Sequence, residues 1–179
     1  MRLSRAIVLV SLLAAPALFA GFALDGEATA GFKATGTGGF KMEGKTKAVA
    51  VADDGTNVTV TVTLKDISTG ITLRDNHTKK YLEVEKFPTT TLVVKKADLA
   101  NPAGAGPIKL ENAKGSFTCH GVTKEVTFNA TGNCTAEGKC TVDGTININI
   151  NDYGVKVPSY LGITVKPDVI VTSLFTVKR

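Results

Sequence analysis

The sequence predicts an all-β domain of antiparallel strands, and three observations carry that reading. Apolar and polar residues alternate with a period of two along most of the chain, the pattern of half-buried strands. Gly, Asn and Asp interrupt these runs at short intervals, as hairpins require. Val, Thr and Gly are abundant and Trp is absent, a composition that suits strands and tight turns better than helices.

The first segment is of a different kind. Arg2 and Arg5 precede an apolar run from Ala6 to Ala20, and Gly21 and Ala23 stand at the −3 and −1 positions of a cut before Leu24. These are the three regions of a secretory signal peptide. The run is shorter than the about 20 apolar residues of a bilayer span, so an uncleaved anchor is the weaker reading. The absence of a Cys just after the run speaks against a lipoprotein anchor. The expected organisation is a signal peptide over residues 1–23 and one domain over residues 24–179. A second small-x-small site, Ala28-Thr-Ala30, offers a later cut.

Loss of residues 1–23 removes two cations and no acid, taking the formal charge from +5 to +3 and leaving 156 of the 179 residues. That length suits one domain with a proper core. The remaining lysines are spread along the chain, whereas nucleic-acid binders gather theirs on one face or stripe. No nucleic-acid partner is expected.

The strands follow in order. Lys47–Ala52 and Asn57–Leu64 flank the turn Asp53-Asp-Gly55, and Val58, Val60, Val62 and Leu64 share one face opposite Thr59, Thr61 and Thr63. Asp53 and Asp54 lie in that turn, where exposure is the default. Further runs are Thr91–Lys95, Ile108–Glu111, Ser116–Cys119, Glu125–Ala130, Cys140–Asn149, Val165–Lys166 and Ile170–Val177. The pattern breaks between Ser68 and Pro88, where the polar stretch Arg74–Leu82 has room for one short helical turn. Asn101–Pro107 reads as a flexible loop. Such a series either closes into a barrel or folds as a two-sheet sandwich, and periodicity does not choose between them.

Cys134 and Cys140 flank the turn Thr135–Lys139, so a hairpin would bring them together as a disulfide in an exported chain. Cys119 is left over and alternates with Phe117 on one strand face, a packing position. With only His77 and His120 and no Cys-x-x-Cys, no metal site is expected. No nucleophile elbow or triad pattern appears, so the chain is not expected to be an enzyme and needs no cofactor.

Three stretches are more specific than composition. Lys65–His77 with Tyr81–Pro88, then Gly115–Thr127 (Gly-Ser-Phe-Thr-Cys-His-Gly-Val-Thr-Lys-Glu-Val-Thr), then Ile150–Tyr160 resemble, in order, the central Ser-x-x-Thr-Gly-x-x-x-Arg-Asp-x-His-Leu segment, the Gly-x-Leu-Thr-x-His-Gly-Val-Thr-Lys hairpin and the Asp-(Phe/Tyr)-Gly-(Ile/Val) segment of one family. The chain resembles the YceI-like, or polyisoprenoid-binding, family over roughly residues 60–179. The family's opening Asp-x-x-His-Ser element has no counterpart in Ala30–Phe40, and its His-Leu is His77-Thr78 here.

The resemblance implies an antiparallel, lipocalin-like β-barrel with an elongated apolar cavity. It also implies a long-chain lipid or isoprenoid ligand, transient membrane contact and scope for a homodimer. In that setting Arg74 either meets a polar head group or pairs with Asp75 to pin the loop to the rim. His77 is either a head-group contact or a solvated loop residue, and His120 is structural. Phe87, Phe117, Phe128, Tyr153 and Tyr160 are candidates for the pocket wall, a role that overlaps with core packing in a hollow barrel. The expected function is a periplasmic carrier of a long-chain amphiphile such as an isoprenoid or fatty-acid derivative. The alternative is an envelope structural or interaction domain with no ligand.

Overall fold

A computed structural model describes residues 21–99 and 104–178. Residues 1–20 of the expected leader and 101–103 of the expected loop lie outside the described residues. Among those described, ten strands form: β1 (Ala23–Gly36), β2 (Lys41–Thr46), β3 (Val49–Asp53), β4 (Asn57–Thr63), β5 (Thr89–Lys95), β6 (Gly106–Cys119), β7 (Val122–Cys134), β8 (Lys139–Asn149), β9 (Ser159–Tyr160) and β10 (Ile163–Lys178). A single helix, α1 (Thr72–Tyr81), sits between β4 and β5.

The strands pair antiparallel in the order β2-β1-β10-β8-β7-β6-β5-β4-β3, with β9 on β10. The two outermost strands of this path, β2 and β3, are consecutive in the chain and joined by only Lys47 and Ala48. A path whose two margins are two residues apart must curl back on itself, so the sheet is a barrel. Its ladders do not run all the way round. At one end β2 is laced to the segment that follows β4 by the bridge between Lys45 and Ser68, which exchange N–H···O bonds of 2.8 and 2.9 Å. At the other end the Phe22 N–H donates to Asp53 Oδ2 at 3.0 Å.

The central strands form where the alternation predicts them, because each turns its Val, Ile and Phe inward. Two expected pairs of runs are single strands. Ile108–Glu111 and Ser116–Cys119 belong to β6, which continues through a bulge where Asn112 takes a φ of 54° and its N–H donates to Asn129 Oδ1 at 2.8 Å. Val165–Lys166 and Ile170–Val177 belong to β10, and Pro167 falls where the pairing with β1 is irregular, so its missing N–H breaks no regular ladder.

The strands β1 and β2 have no counterpart in the sequence expectation. The inward residues of β1 are small, Ala28, Ala30 and Ala34, and the glycines of both strands look like turn signals. Here the glycines serve close approach. A Cβ on Gly31 would collide with the Gly44 carbonyl oxygen, and one on Gly44 would strike the Phe32 ring. Phe22, two residues before the expected domain start, is buried against the cluster of Cys134, Cys140, Phe175 and Val177.

Exposure at the Asp53 turn holds for Asp54 and fails for Asp53. The Asp53 side chain is fully buried and pairs with Lys96 Nζ at 2.6 Å. It also accepts the N–H groups of Phe22 and Gly55. The helix is longer than the expected single turn. It spans ten residues although its apolar residues follow no helical stripe. It is held at its start by Asp75, which accepts the Thr69 N–H at 2.6 Å and the Ser68 hydroxyl at 2.8 Å. Lys79 and Lys80 in the last turn suit the negative end of the helix dipole.

Candidate functional site

The inward residues of the barrel wall are mostly Val, Thr and Ala, too short to meet across its axis. An elongated tunnel remains. Its inner compartment, about 150 Å³, lies between the Val58, Val60 and Val62 face of β4 and the opposite wall of Phe128, Ile146 and Phe175. The Cys134–Cys140 disulfide, which joins directly paired residues of β7 and β8, is in its wall. A middle compartment of about 120 Å³ follows, bounded by Met42, Ile67, Tyr81, Cys119 and Tyr153. The two share Ala30, Val62, Thr90, Phe117 and Val171 as a common waist. An outer compartment of about 280 Å³ opens beside α1 and shares Met42, Thr78, Tyr81, Pro158 and Val165 with the middle one.

No charged side chain lines the inner or middle compartment. Apolar cavities of about 150 Å³ stay dry and admit small hydrocarbons. The outer compartment is different. Arg74, His77 and Tyr160 border it, and Ile71, Leu73 and Tyr160 are each about half exposed around its mouth (52%, 53% and 51%). Leu161, at the tip of the β9–β10 hairpin, is 84% exposed with a φ of 48°.

Two side chains of the middle compartment, Cys119 and Tyr153, are held neutral. Burial pushes the Cys119 thiol up to about 11, against an opposing hydrogen bond with Thr90. Burial also raises the Tyr153 phenol, with Cys119 and Asp152 adding in the same direction. A protonated thiol and a protonated phenol in a charge-free wall offer contact, desolvation and hydrogen bonding rather than a nucleophile.

A profile of the YceI-like domain matches residues 22–177. The chain belongs to the YceI-like family. Among curated relatives, a UPF0312 protein of Pseudomonas putida strain F1 is 33% identical over 105 residues, covering 54% of this chain and 50% of its own length. A UPF0312 protein of Pseudomonas savastanoi pv. phaseolicola is 29% identical over 129 residues, covering 67% and 63%. The chain thus spans about half to two thirds of the length of these relatives. In three dimensions it is similar to a polyisoprenoid binding domain from Saccharophagus degradans, with a TM-score of 0.73 at 15% identity over 88% of this chain and 98% of that one. BcnA of Burkholderia cenocepacia is similar at a TM-score of 0.61 and 18% identity, covering 84% and 96%. At such identities the likeness is one of fold.

The YceI-like tunnel gathers most of the residues the sequence singled out. Phe117 and Phe128 line the inner compartment, and Tyr153, packed edge-on against Phe117 at 5.6 Å, lines the middle one. The His77 ring stands edge-on to Tyr160 at 4.8 Å in the outer one. Two residues stand apart. Phe87 borders none of the three compartments and packs its ring on His120 at 4.4 Å, because the turn after α1 carries it outside the barrel end. Asp75 likewise faces Ser68 and Thr69 rather than the tunnel.

Arg74 and Asp75 do not form an ion pair. Both fasten on Thr69 instead, Arg74 donating from Nε to Thr69 Oγ1 at 3.0 Å and from Nη2 to the Thr69 carbonyl at 3.2 Å. His120 ties itself to the segment of Tyr153, its Nδ1 3.1 Å from the Tyr153 carbonyl, while its buried Nε2 lies 3.5 Å from Glu83 Oε1 and makes no hydrogen bond. Tyr81, Thr78 and Met42 escaped the sequence reading although all three join the middle and outer compartments. Tyr81 and Thr78 sit on a helix without an apolar stripe, and Met42 on a strand of alternating Lys, Glu and Gly.

Proposed function

We propose that this chain is an exported, periplasmic carrier that sequesters a long-chain apolar amphiphile, an isoprenoid or fatty-acid derivative, with the chain inside the barrel. The observation that carries the reading is the pair of adjoining charge-free compartments leading to an outer one whose mouth exposes Ile71, Leu73 and Tyr160 beside Arg74 and His77. Burial of hydrocarbon contributes about 0.8 kcal/mol per CH₂, so affinity should climb with chain length until the tunnel is full. The family membership and the solved polyisoprenoid binding domain of similar fold support the same ligand class. The apolar mouth suits a carrier that loads from a membrane surface in transient contact.

Native mass spectrometry of the protein purified without detergent, followed by organic extraction, tests the proposal. The expected result is an adduct with the mass of one long-chain lipid, recovered in the extract. A protein that carries no adduct and also ignores added prenyl and fatty-acyl chains would overturn it.

A further inference from the structure

Leu161 has an unusual backbone and an unusual solvent for a leucine. With Gly162 it forms the two-residue turn between β9 and β10, closed by the pairing of Tyr160 with Ile163. Both turn residues have positive φ, 48° and 80°, the type I′ geometry that Asn-Gly adopts most readily. A leucine gains nothing from a left-handed backbone, and here its side chain meets water instead of a core. The hairpin beneath it is well fastened. The Thr164 N–H donates to Thr37 Oγ1 at 3.1 Å, the Ser159 N–H donates to the Tyr81 hydroxyl at 3.4 Å, and Tyr160 packs on His77. Leu161 thus projects from a fixed base beside Tyr160, Ile163, Ile71 and Leu73, the exposed apolar residues of the outer compartment.

The charges around this face have one sign. Three segments of the mouth, residues 36–42, 69–74 and 154–166, contain Lys41, Arg74, Lys156 and Lys166 and no acid. Among the described residues none of these four cations forms an ion pair. The acids within two residues of the segments are Glu43, Asp75, Asp152 and Asp168, and each has a partner. Glu43 lies 3.6 Å from Lys45 and Asp152 lies 3.7 Å from Lys124. Asp75 accepts from Ser68 and Thr69, and Asp168 from Asn149.

A projecting apolar tip framed by unpaired cations suits an anionic lipid surface. A leucine on a convex turn enters fluid acyl chains directly, whereas a protein partner would have to offer it a socket. Two copies meeting through this face would set cations against cations. We propose that the β9–β10 hairpin and the start of α1 dock the protein on anionic phospholipid bilayers, with Leu161 entering the acyl region and the four cations drawing the face to the head groups. The inference rests on the carrier reading for what docking accomplishes, the passage of cargo through this face, and not for whether docking occurs.

The test is flotation of the purified protein with phosphatidylcholine vesicles that contain or lack phosphatidylglycerol. Leu161→Asn is the variant, because asparagine before glycine is the favoured pair for this turn. It should melt no lower than wild type yet bind the anionic vesicles at least about tenfold more weakly, the loss of one buried leucine side chain. Wild type should prefer the anionic vesicles, and added salt should loosen it from them. The chain has no Trp, so Leu161→Trp supplies a single reporter whose emission should shift to the blue on the anionic vesicles. Wild-type protein that floats with neither vesicle, or with both alike, overturns the proposal. Leu161→Asn that floats as well as wild type overturns it too. So does a wild-type dimer that becomes monomeric in Leu161→Asn without any vesicle binding, which would make the tip a contact between copies. Uptake of prenyl and fatty-acyl probes, measured without vesicles, separates the two readings. Uptake without vesicle binding ends the docking proposal alone, and vesicle binding through Leu161 without uptake ends the carrier reading alone.

Discussion

Asp53 carries a charge into a place with little water. Burial alone would raise its pKa, but the Lys96 hydrogen bond and the Phe22 and Gly55 N–H groups outweigh burial and hold the carboxyl below its ordinary value. A carboxyl lowered on folding adds stability that is complete above the unfolded value of about 3.9 and disappears as pH falls through the folded one. Thermal melts should therefore decline below about pH 4 more steeply in wild type than in Asp53→Asn. At neutral pH Asp53→Ala, which leaves Lys96 and two N–H groups without their acceptor, should cost about 3 kcal/mol in denaturant titration. Cys119 makes the opposite case. With its thiol pushed up to about 11 by burial, it should resist Ellman's reagent at pH 8 in the folded protein. One thiol should appear on unfolding without reductant, since Cys134 and Cys140 are joined. Immediate labelling of the native protein would contradict this placement.

At the scale of elements, hydrophobic periodicity made the central strands legible because each has one wet and one dry face. It failed where the chain has other means of holding itself. The inward side of β1 is alanine, a residue that reads as neutral, and its strand character comes from pairing with both β10 and β2. The helix is legible only in its polar anchors, since Thr69, Arg74 and Asp75 set its start without any apolar stripe. The Cys134–Cys140 bridge was readable from its spacing across a turn, which is a local matter. It closes a loop with a sequence separation of 6, for which loop entropy gives about 2 kcal/mol. Replacing both with Ala should lower the melting temperature by about 5 °C, while intact mass under non-reducing conditions verifies that the bridge exists in the parent.

The whole molecule is a case where closure could not be read from strand patterns alone. Alternation is the same in a sandwich and in a barrel; it is the adjacency of β2 and β3 in the chain, set against their places at opposite ends of the pairing order, that decides. Of the candidate site, the aromatic wall residues Phe117, Phe128 and Tyr153 were visible as members of alternating or matched segments. The waist was not, because Ala30 and Val171 come from the two ends of the chain. That waist yields a prediction for the tunnel as a unit. Val62→Trp should fill it at a stability cost of about 1–3 kcal/mol. Affinity for saturated acyl probes should then stop rising at a shorter chain length than in wild type. An unchanged length dependence would mean that the inner compartment takes no part in binding.

Between the Lys45–Ser68 bridge and the Phe22–Asp53 contact, the first half of β1 runs past β3 without a ladder. Phe22 and Val51, on either side of this gap, both face the inner compartment. The barrel is therefore a sleeve with an unstitched placket beside its inner compartment. Its girth there is governed by side chains, which repack at small cost, while the rest of its circumference is governed by backbone pairs, which do not. On the carrier reading, a cargo thicker or longer than the resting bore would be accommodated along this one line, and the Phe22–Asp53 hydrogen bond is the button that closes it.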